Sequence, residues 1–493
     1  MNTTPTPTTP EAPTATAPAP PDRSLCRGPQ PLTARLEPWM EELLADDGTC
    51  RRLLAEHGSP VNVIDTAPLV RNIGELRAAA AAHGVDFEVY VARKANKAIA
   101  VVDAARDAGA GIDVASDDEL AQVLERGVDP AKIILTSAVK PPATLRRALD
   151  AGVVVSLDNL DELDDLLAET GGEPADVALR LAAQAPGIRP TRFGLPGDEW
   201  LEALGAAGGR VRVSGVHFHL HGYAAGDRVT VLGEALAFVD RLREAGHDVR
   251  FVDIGGGIPM SYLDDRAEWD AFWAAMRARR DDLRGGAASG QLTWNDEPLG
   301  LDGSGVVYPF WQESTRRGWL ESVLAGRIGG AGVAEALRDR GLQLRCEPGR
   351  SVLDGCGLTL SSVAFRKNRA DGVPLVGLHM NRTQMRSTSL DVLMDPILVR
   401  SPGAEAGPEV DAYLVGAYCI EDELILRRRL RFPAGVRRDD VVAFPNTAGY
   451  LMHIVESASH QIPLAANVVR RGGGFERDLI DGRQFGVQKE QGH

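Results

Sequence analysis

Residues 87–97 read FEVYVARKANK. Mostly apolar residues, β-branched and aromatic types among them, run straight into a basic cluster, as at the end of a strand buried on both faces. Seven further runs have the same texture: GIDVA near Ile112, KIILTS near Ile133, VVVSL near Val153, DVALRL near Val177, VRVSGVHFH near Val211, VRFVDI near Val249 and LQLRCEP near Leu342. Ala, Leu, Arg and Asp dominate the segments between them, with helical period. Eight parallel βα units predict an α/β fold closed into a (β/α)8 barrel, with its chemistry on the loops after the strand C-termini. A doubly wound open sheet would show the same alternation and stands as the alternative.

Beyond residue 350 the helical period fades. Short β-type runs (LTLSSVAF, VPLVGLHM, DAYLVGAY, DVVAFP) separated by Gly, Pro and charged turns predict a β domain of Greek-key barrel or sandwich type. The segment SPVNVID at Ser59 to Asp65 reads as a strand lent to that domain from the N-terminal side. The expected organisation is a disordered Pro/Thr/Ala-rich tail over 1–29, then a segment over 30–65 packing with the β domain. A barrel follows over 66–347, and the β domain itself spans 348–493. One stretch exceeds a minimal barrel: far more chain separates Asp253 from Glu347 than the roughly 30 to 40 residues of one βα unit. This insertion, near 261–340, carries Trp269, Trp273, Trp294, Trp311 and Trp319. It reads either as a helical excursion with its own packing or as a wall of the substrate pocket.

A chain of 493 residues suits two domains, and 44% hydrophobic with 25% charged residues is the composition of a soluble enzyme. A formal charge of −15 argues against nucleic acid or an anionic membrane as partner. The first 22 residues have neither a basic n-region nor an apolar core, so they do not read as a signal peptide. No apolar run approaches the ~18 residues of a membrane span. Five scattered cysteines without a CxxC pair indicate neither a disulfide framework nor a zinc site, so no metal is expected and a cytoplasmic location fits.

Lys94 ends an apolar strand and would point into the barrel mouth, where desolvation lowers an amine's pKa and frees it to attack carbonyls. Gly255, Gly256 and Gly257 follow another strand, where the lack of side chains lets backbone N–H groups approach a phosphate. Arg350 is placed to add a charge-assisted contact to the same group.

VARKANK at Val91, GIDVASDDEL at Gly111, RFGL at Arg192, GVHFHLHG at Gly215, DIGGGIP at Asp253 and CEPGRS at Cys346 follow one another in the order and spacing of a known family. With GAYCIED at Gly416 and FPNTAGY at Phe444, the chain resembles the fold-type III pyridoxal-phosphate (PLP) decarboxylases, the group of diaminopimelate, ornithine and arginine decarboxylases, over roughly residues 60 to 470. The resemblance implies PLP as cofactor and decarboxylation of an amino acid or its derivative through a Lys94 Schiff base and a quinonoid intermediate. By the same resemblance His219 stacks on the cofactor ring and Glu347 faces the pyridine nitrogen. Asp113, Gly255, Gly256, Gly257, Gly349, Arg350 and Tyr450 complete the cofactor site. Cys419 reaches the site from a second subunit to help protonate Cα, which implies a homodimer with shared sites.

The chain also departs from the family pattern. Ile420 replaces the acidic residue that meets a distal ammonium group, with Glu421 and Asp422 next to it, which argues against lysine, ornithine or diaminopimelate as substrate. Gly222 stands where the family has a serine that contacts the cofactor. Arg386 falls within one residue of a substrate-binding arginine in a segment that lacks the family's tyrosines. A PLP racemase or epimerase, or a catalytically weak PLP-binding homologue, is the alternative function.

Overall fold

In the computed structural model, which describes residues 20–482 apart from 288–289, 291, 302–307 and 404, the eight runs form eight parallel strands that close on themselves. After β1 (Val61–Ile64) come β2 (Phe87–Ala92), β3 (Gly111–Val114), β4 (Ile133–Leu135), β5 (Val154–Leu157), β6 (Ala175–Arg180), β7 (Val211–His217) and β8 (Phe251–Asp253). The hairpin β9 (Arg327–Ile328) and β10 (Ala331–Gly332) precedes β11 (Gln343–Cys346), which pairs with both β2 and β8 and seals the ring. The open-sheet alternative is thereby excluded.

Register decides what the barrel mouth contains. Arg180 pairs with His217 and His217 with Asp253 across the ends of β6, β7 and β8, and Glu347 follows directly on β11. In parallel strands of matched register, residues at equal height come to one rim. Four polar side chains from four distant stretches of sequence are therefore neighbours.

The second domain is one nine-stranded mixed sheet. It consists of β1 with β12 (Gly357–Asn368), β13 (Pro374–Leu378), β14 (Ile397–Val399), β15 (Val410–Val415), β16 (Leu430–Phe432), β17 (Val441–Pro445), β18 (Ala466–Arg471) and β19 (Gly474–Arg477). The long strand β12 joins its halves, pairing with β1 and β17 through its first part and with β13 through its second. Helices Pro38–Ala45 and Asp47–His57 bury Trp39, Met40, Leu43 and Leu53 against β1, β12 and β17.

One expected boundary needs correction, and one open alternative is narrowed. Of the tail expected over 1–29, residues 1–19 lie outside the described residues, and residues 26–28 are anchored on the β domain. Cys26 is buried, Arg27 exchanges backbone hydrogen bonds with Arg431 at 3.1 and 2.7 Å, and Gly28 N donates to Asp395 at 3.0 Å. The Pro/Thr/Ala composition stops near residue 22, and the chain after it has backbone partners on the β domain. Among the described residues the insertion shares its apolar packing with the two domains rather than forming a separate core. Trp269, Trp273, Tyr308, Phe310 and Trp311 pack with the β-domain core, whereas Trp319, on helix Arg316–Leu324, belongs to the barrel core. Among the described residues no helix is long and apolar enough to cross a membrane.

Candidate active site

Just beyond β2 the chain makes a short 3-10 turn, Arg93–Ala95, that presents Lys94 to the mouth. Its Nζ contacts Asp113 Oδ2 at the end of β3, and Asp113 Oδ1 in turn accepts from Thr136 beyond β4. Burial pushes the Lys94 ammonium down, but the carboxylates of Asp113 and Glu347 outweigh it and hold it above its ordinary value. The depression expected from the strand-end position is thus reversed: the sequence shows the apolar strand but not the acid that register sets opposite the amine.

Next to Lys94 around the rim, at the ends of β7, β8 and β11, lies a cluster buried from solvent: His217, Asp253 and Glu347. His217 Nδ1 receives Arg180 Nε at 3.3 Å and lies 2.9 Å from Ser156 Oγ. A guanidinium only donates, so Nδ1 accepts and a neutral His217 carries its proton on Nε2. That nitrogen faces Glu347 Oε1 at 3.5 Å. Burial, then Arg180, drives the His217 pKa well below its usual value and keeps the ring neutral. Burial, then Asp113 and Asp253, lifts Glu347 well above the carboxylate range, and burial lifts Asp253 to about 6. His217 Nε2, Asp253 Oδ2 and Glu347 Oε1 are without hydrogen-bond partners.

The third arm is a cradle of main chain. The turn Gly255–Gly257 leaves β8, with Gly255 O accepting from Glu347 N at 2.9 Å. Gly257 has φ +77°, and a Cβ there would stand 2.2 Å from Arg228 and 2.7 Å from Gly222 O. Arg228, fully buried on helix Ala225–Glu244, donates through one nitrogen to the carbonyls of Leu220, Gly222 and Gly256, each at 3.0 Å. One guanidinium therefore ties both loops of the cradle together. Gly222, which stands where the family pattern has a serine, has φ +95°, a conformation strained for any side chain.

Across the cradle, Arg350 lies 4.3 Å from the Tyr308 ring centroid and 5.4 Å from that of Tyr450, with NH1 buried and without a partner. Gly349 is so close to the Tyr450 hydroxyl that a Cβ would meet it at 2.5 Å, and Tyr450 N donates to Ala95 O at 2.8 Å. His219 meets Phe193 edge-on at 5.8 Å. Burial, then Lys94 and Arg228, pushes its pKa down to about 4, so the imidazole is neutral near pH 7. A cavity of about 680 Å3 opens between His219, the Gly257 turn, Arg350, Tyr450 and the insertion's Tyr308.

Residues 70–288 match the pyridoxal-binding domain of the pyridoxal-dependent decarboxylases. The uncharacterized protein y4yA of Sinorhizobium fredii is 31% identical over 84% of this chain and 88% of its own length. The diaminopimelate decarboxylase of Zymomonas mobilis is 24% identical over 87% and 92%. This chain belongs to the fold-type III PLP-dependent decarboxylases. Members of this family are lyases that act on amino acids, and the cofactor is pyridoxal 5′-phosphate. Solved structures share the fold: the diaminopimelate decarboxylase of M. jannaschii with L-lysine has a TM-score of 0.67 at 19% identity, covering 86% of this chain and 90% of that one. The Paramecium bursaria Chlorella virus arginine decarboxylase with agmatine has 0.62 at 17% identity, covering 86% and 100%.

The residues present fit the cofactor. Buried polar atoms without partners stand at both ends of the site, Glu347 Oε1 at one and Arg350 NH1 at the other, and the glycine cradle is too tight for side chains. Lys94, Asp113, His219, Gly255, Gly256, Gly257, Glu347, Gly349, Arg350 and Tyr450 are gathered at the barrel mouth. Four candidates are not. Cys419, Ile420 and Glu421 lie exposed on the β domain, and Arg386 turns away to donate to Leu424 O at 2.8 Å. Sequence reasoning missed Arg180, Ser156, Arg228, Tyr223 and Tyr308. The visible signal was a lone arginine in an apolar strand (DVALRL) and another opening an apolar helix (DRVTVL).

Proposed function

We propose that this chain removes the α-carboxylate of an amino acid or amino-acid derivative as CO2, with Lys94 as the lysine that bonds to the cofactor. The observation that carries the reading is Glu347, a buried carboxyl with one oxygen unpartnered, at the rim that also holds Lys94. Bound PLP supplies an electron sink for the pair left on Cα when the carboxylate departs. A carboxyl without a countercharge in a low-dielectric site has high proton affinity. Glu347 would share that proton with the ring nitrogen, and the neutral His217, its Nε2 3.5 Å from Oε1, would leave the carboxyl without a countercharge on that side. An arginine at this position would instead disfavour full charge transfer to the ring and suit racemisation.

The cradle N–H groups, Arg350 and the Tyr450 hydroxyl would hold the phosphate, and the neutral His219 would lie against the ring face. Asp113 would keep the Lys94 amine in place and accept its proton when it reacts. Cys419 is exposed, so its expected part in returning a proton to Cα requires a second copy of the chain, and the reading includes a homodimer with shared sites.

The test is the visible absorbance of the purified holoenzyme together with CO2 release across amino acids. Lys94→Ala should abolish the lysine-dependent band and lower CO2 release by more than roughly 10³-fold. A PLP-saturated wild type without that band would overturn the reading, and a band with racemisation but no CO2 would replace it with the epimerase alternative.

A further inference from the structure

The cavity extends beyond the groups assigned to the cofactor. Its outer wall is formed by Tyr223 and Thr388 together with Tyr308, Pro309 and Gln312 from the insertion. Tyr308 is fixed at both ends, its hydroxyl 2.8 Å from Thr388 Oγ1 and its backbone N donating to Ser389 Oγ at 3.2 Å. Gln312 is anchored through its backbone N to Ser261 Oγ at 3.3 Å and through Nε2 to Trp311 O at 2.9 Å. A preformed pocket of about 680 Å3 accommodates a cofactor and a side chain of several non-hydrogen atoms.

Charge is distributed unevenly around it. Among the described residues, the cationic Arg350 lines the cavity and no Asp or Glu does. Of the acids that follow Cys419, Glu421 is exposed on the β domain and the next two are engaged elsewhere. Asp422 accepts from Arg382 at 2.6 Å and from Arg427 at 2.7 and 2.8 Å, and Glu423 accepts from Arg382 N at 2.8 Å. Arg427 also holds Glu297 of the insertion at 2.5 Å. With the cofactor phosphate taken up by Arg350 and the cradle, an ammonium or guanidinium in this cavity would lose water and meet no carboxylate among the described residues of its own chain. An uncharged side chain would pack on two tyrosine rings and find hydrogen-bonding groups at Gln312 and Thr388.

We infer that the site takes an amino acid with a long, uncharged side chain bearing a hydrogen-bonding group near its end, and that Tyr308 and Gln312 are its specificity residues. This rests on the decarboxylase reading above and separates the chain from its structural relatives, whose solved complexes hold L-lysine and agmatine.

Matched pairs test it. The holoenzyme is titrated with L-citrulline against L-arginine and with Nε-acetyl-L-lysine against L-lysine, and binding is read from the cofactor's visible spectrum and from ligand-induced rise in Tm. The neutral member of each pair should bind at least about tenfold more tightly. Gln312→Glu, which changes charge at constant shape, should move that ratio about tenfold toward the cationic member. Equal or tighter binding of either cation, as a carboxylate from a second subunit would produce, overturns the inference. So does failure of both neutral ligands to bind, or a ratio unmoved in Gln312→Glu. CO2 is scored separately, so neutral preference without CO2 overturns the decarboxylase reading alone.

Discussion

The barrel rim and the Gly416–Glu423 arm of the β domain both carry residues assigned to chemistry, yet they are built in opposite ways. On the rim, Arg180, His217, Asp253 and Glu347 are buried and fixed by strand register, and three of them keep an atom without a partner. On the arm, Cys419 is exposed, Ile420 is 44% exposed, Glu421 is exposed too, and Asp422 is spent on Arg382 and Arg427. Unspent polar capacity, buried within the chain, marks a site that one subunit builds alone. An exposed thiol among exposed neighbours marks a surface whose chemistry depends on what covers it.

Substitution at the rim breaks the comparison most directly. Glu347→Gln should lower kcat by roughly 10²- to 10³-fold while cofactor content stays near wild type, because Arg350 and the cradle are untouched. Loss of cofactor in step with kcat would make Glu347 a binding group. Subunit mixing sharpens the other half. Lys94→Ala and Cys419→Ala should each be impaired alone, and an equal mixture should recover about a quarter of wild-type activity through heterodimers with one intact site. No recovery after verified exchange would place Cys419 outside the chemistry.

The smallest effect lies at the seam between the two domains. His453 Nδ1 accepts from Lys97 N at 3.1 Å and Nε2 faces Asn467 Oδ1 at 2.8 Å, so the ring is held neutral, and burial, then Lys97, pushes its pKa down to about 3. The folded chain refuses a proton that the unfolded chain takes below about pH 6.5. The stabilisation is therefore present above that pH and is lost as pH falls toward 3. From pH 7 to 5 it amounts to up to about 2 kcal/mol. His453→Gln should show a shallower fall in Tm over that interval, and an unchanged slope would exclude His453 as a contributor.

The eight strands were legible because most of their residues are buried, so each reads as a short, mainly apolar run even where Asp176, Arg212 or Arg345 interrupts it. Lys94, Glu347 and the glycine cradle were legible as strand-end residues. The state of Lys94 was not, since its proton affinity is set by Asp113, a neighbour in register but not in sequence. Arg228 was hidden in the first turn of a helix that otherwise reads as amphipathic packing, and its role appears only when two loops meet on it. Tyr308 and Gln312 lie where periodicity is lost, and tryptophan content alone did not reveal which wall they form.

Because the insertion's Trp269, Tyr308 and Trp311 rest on the β domain rather than on the barrel, the outer wall of the cavity and the barrel rim that holds Lys94 and Glu347 are carried by different hydrophobic cores. Such a division makes the protein evolvable in one direction. Mutations in the insertion can trade one side-chain preference for another without disturbing the strands that hold Lys94 and Glu347, so descendants of this chain can diverge in diet while inheriting the same reaction.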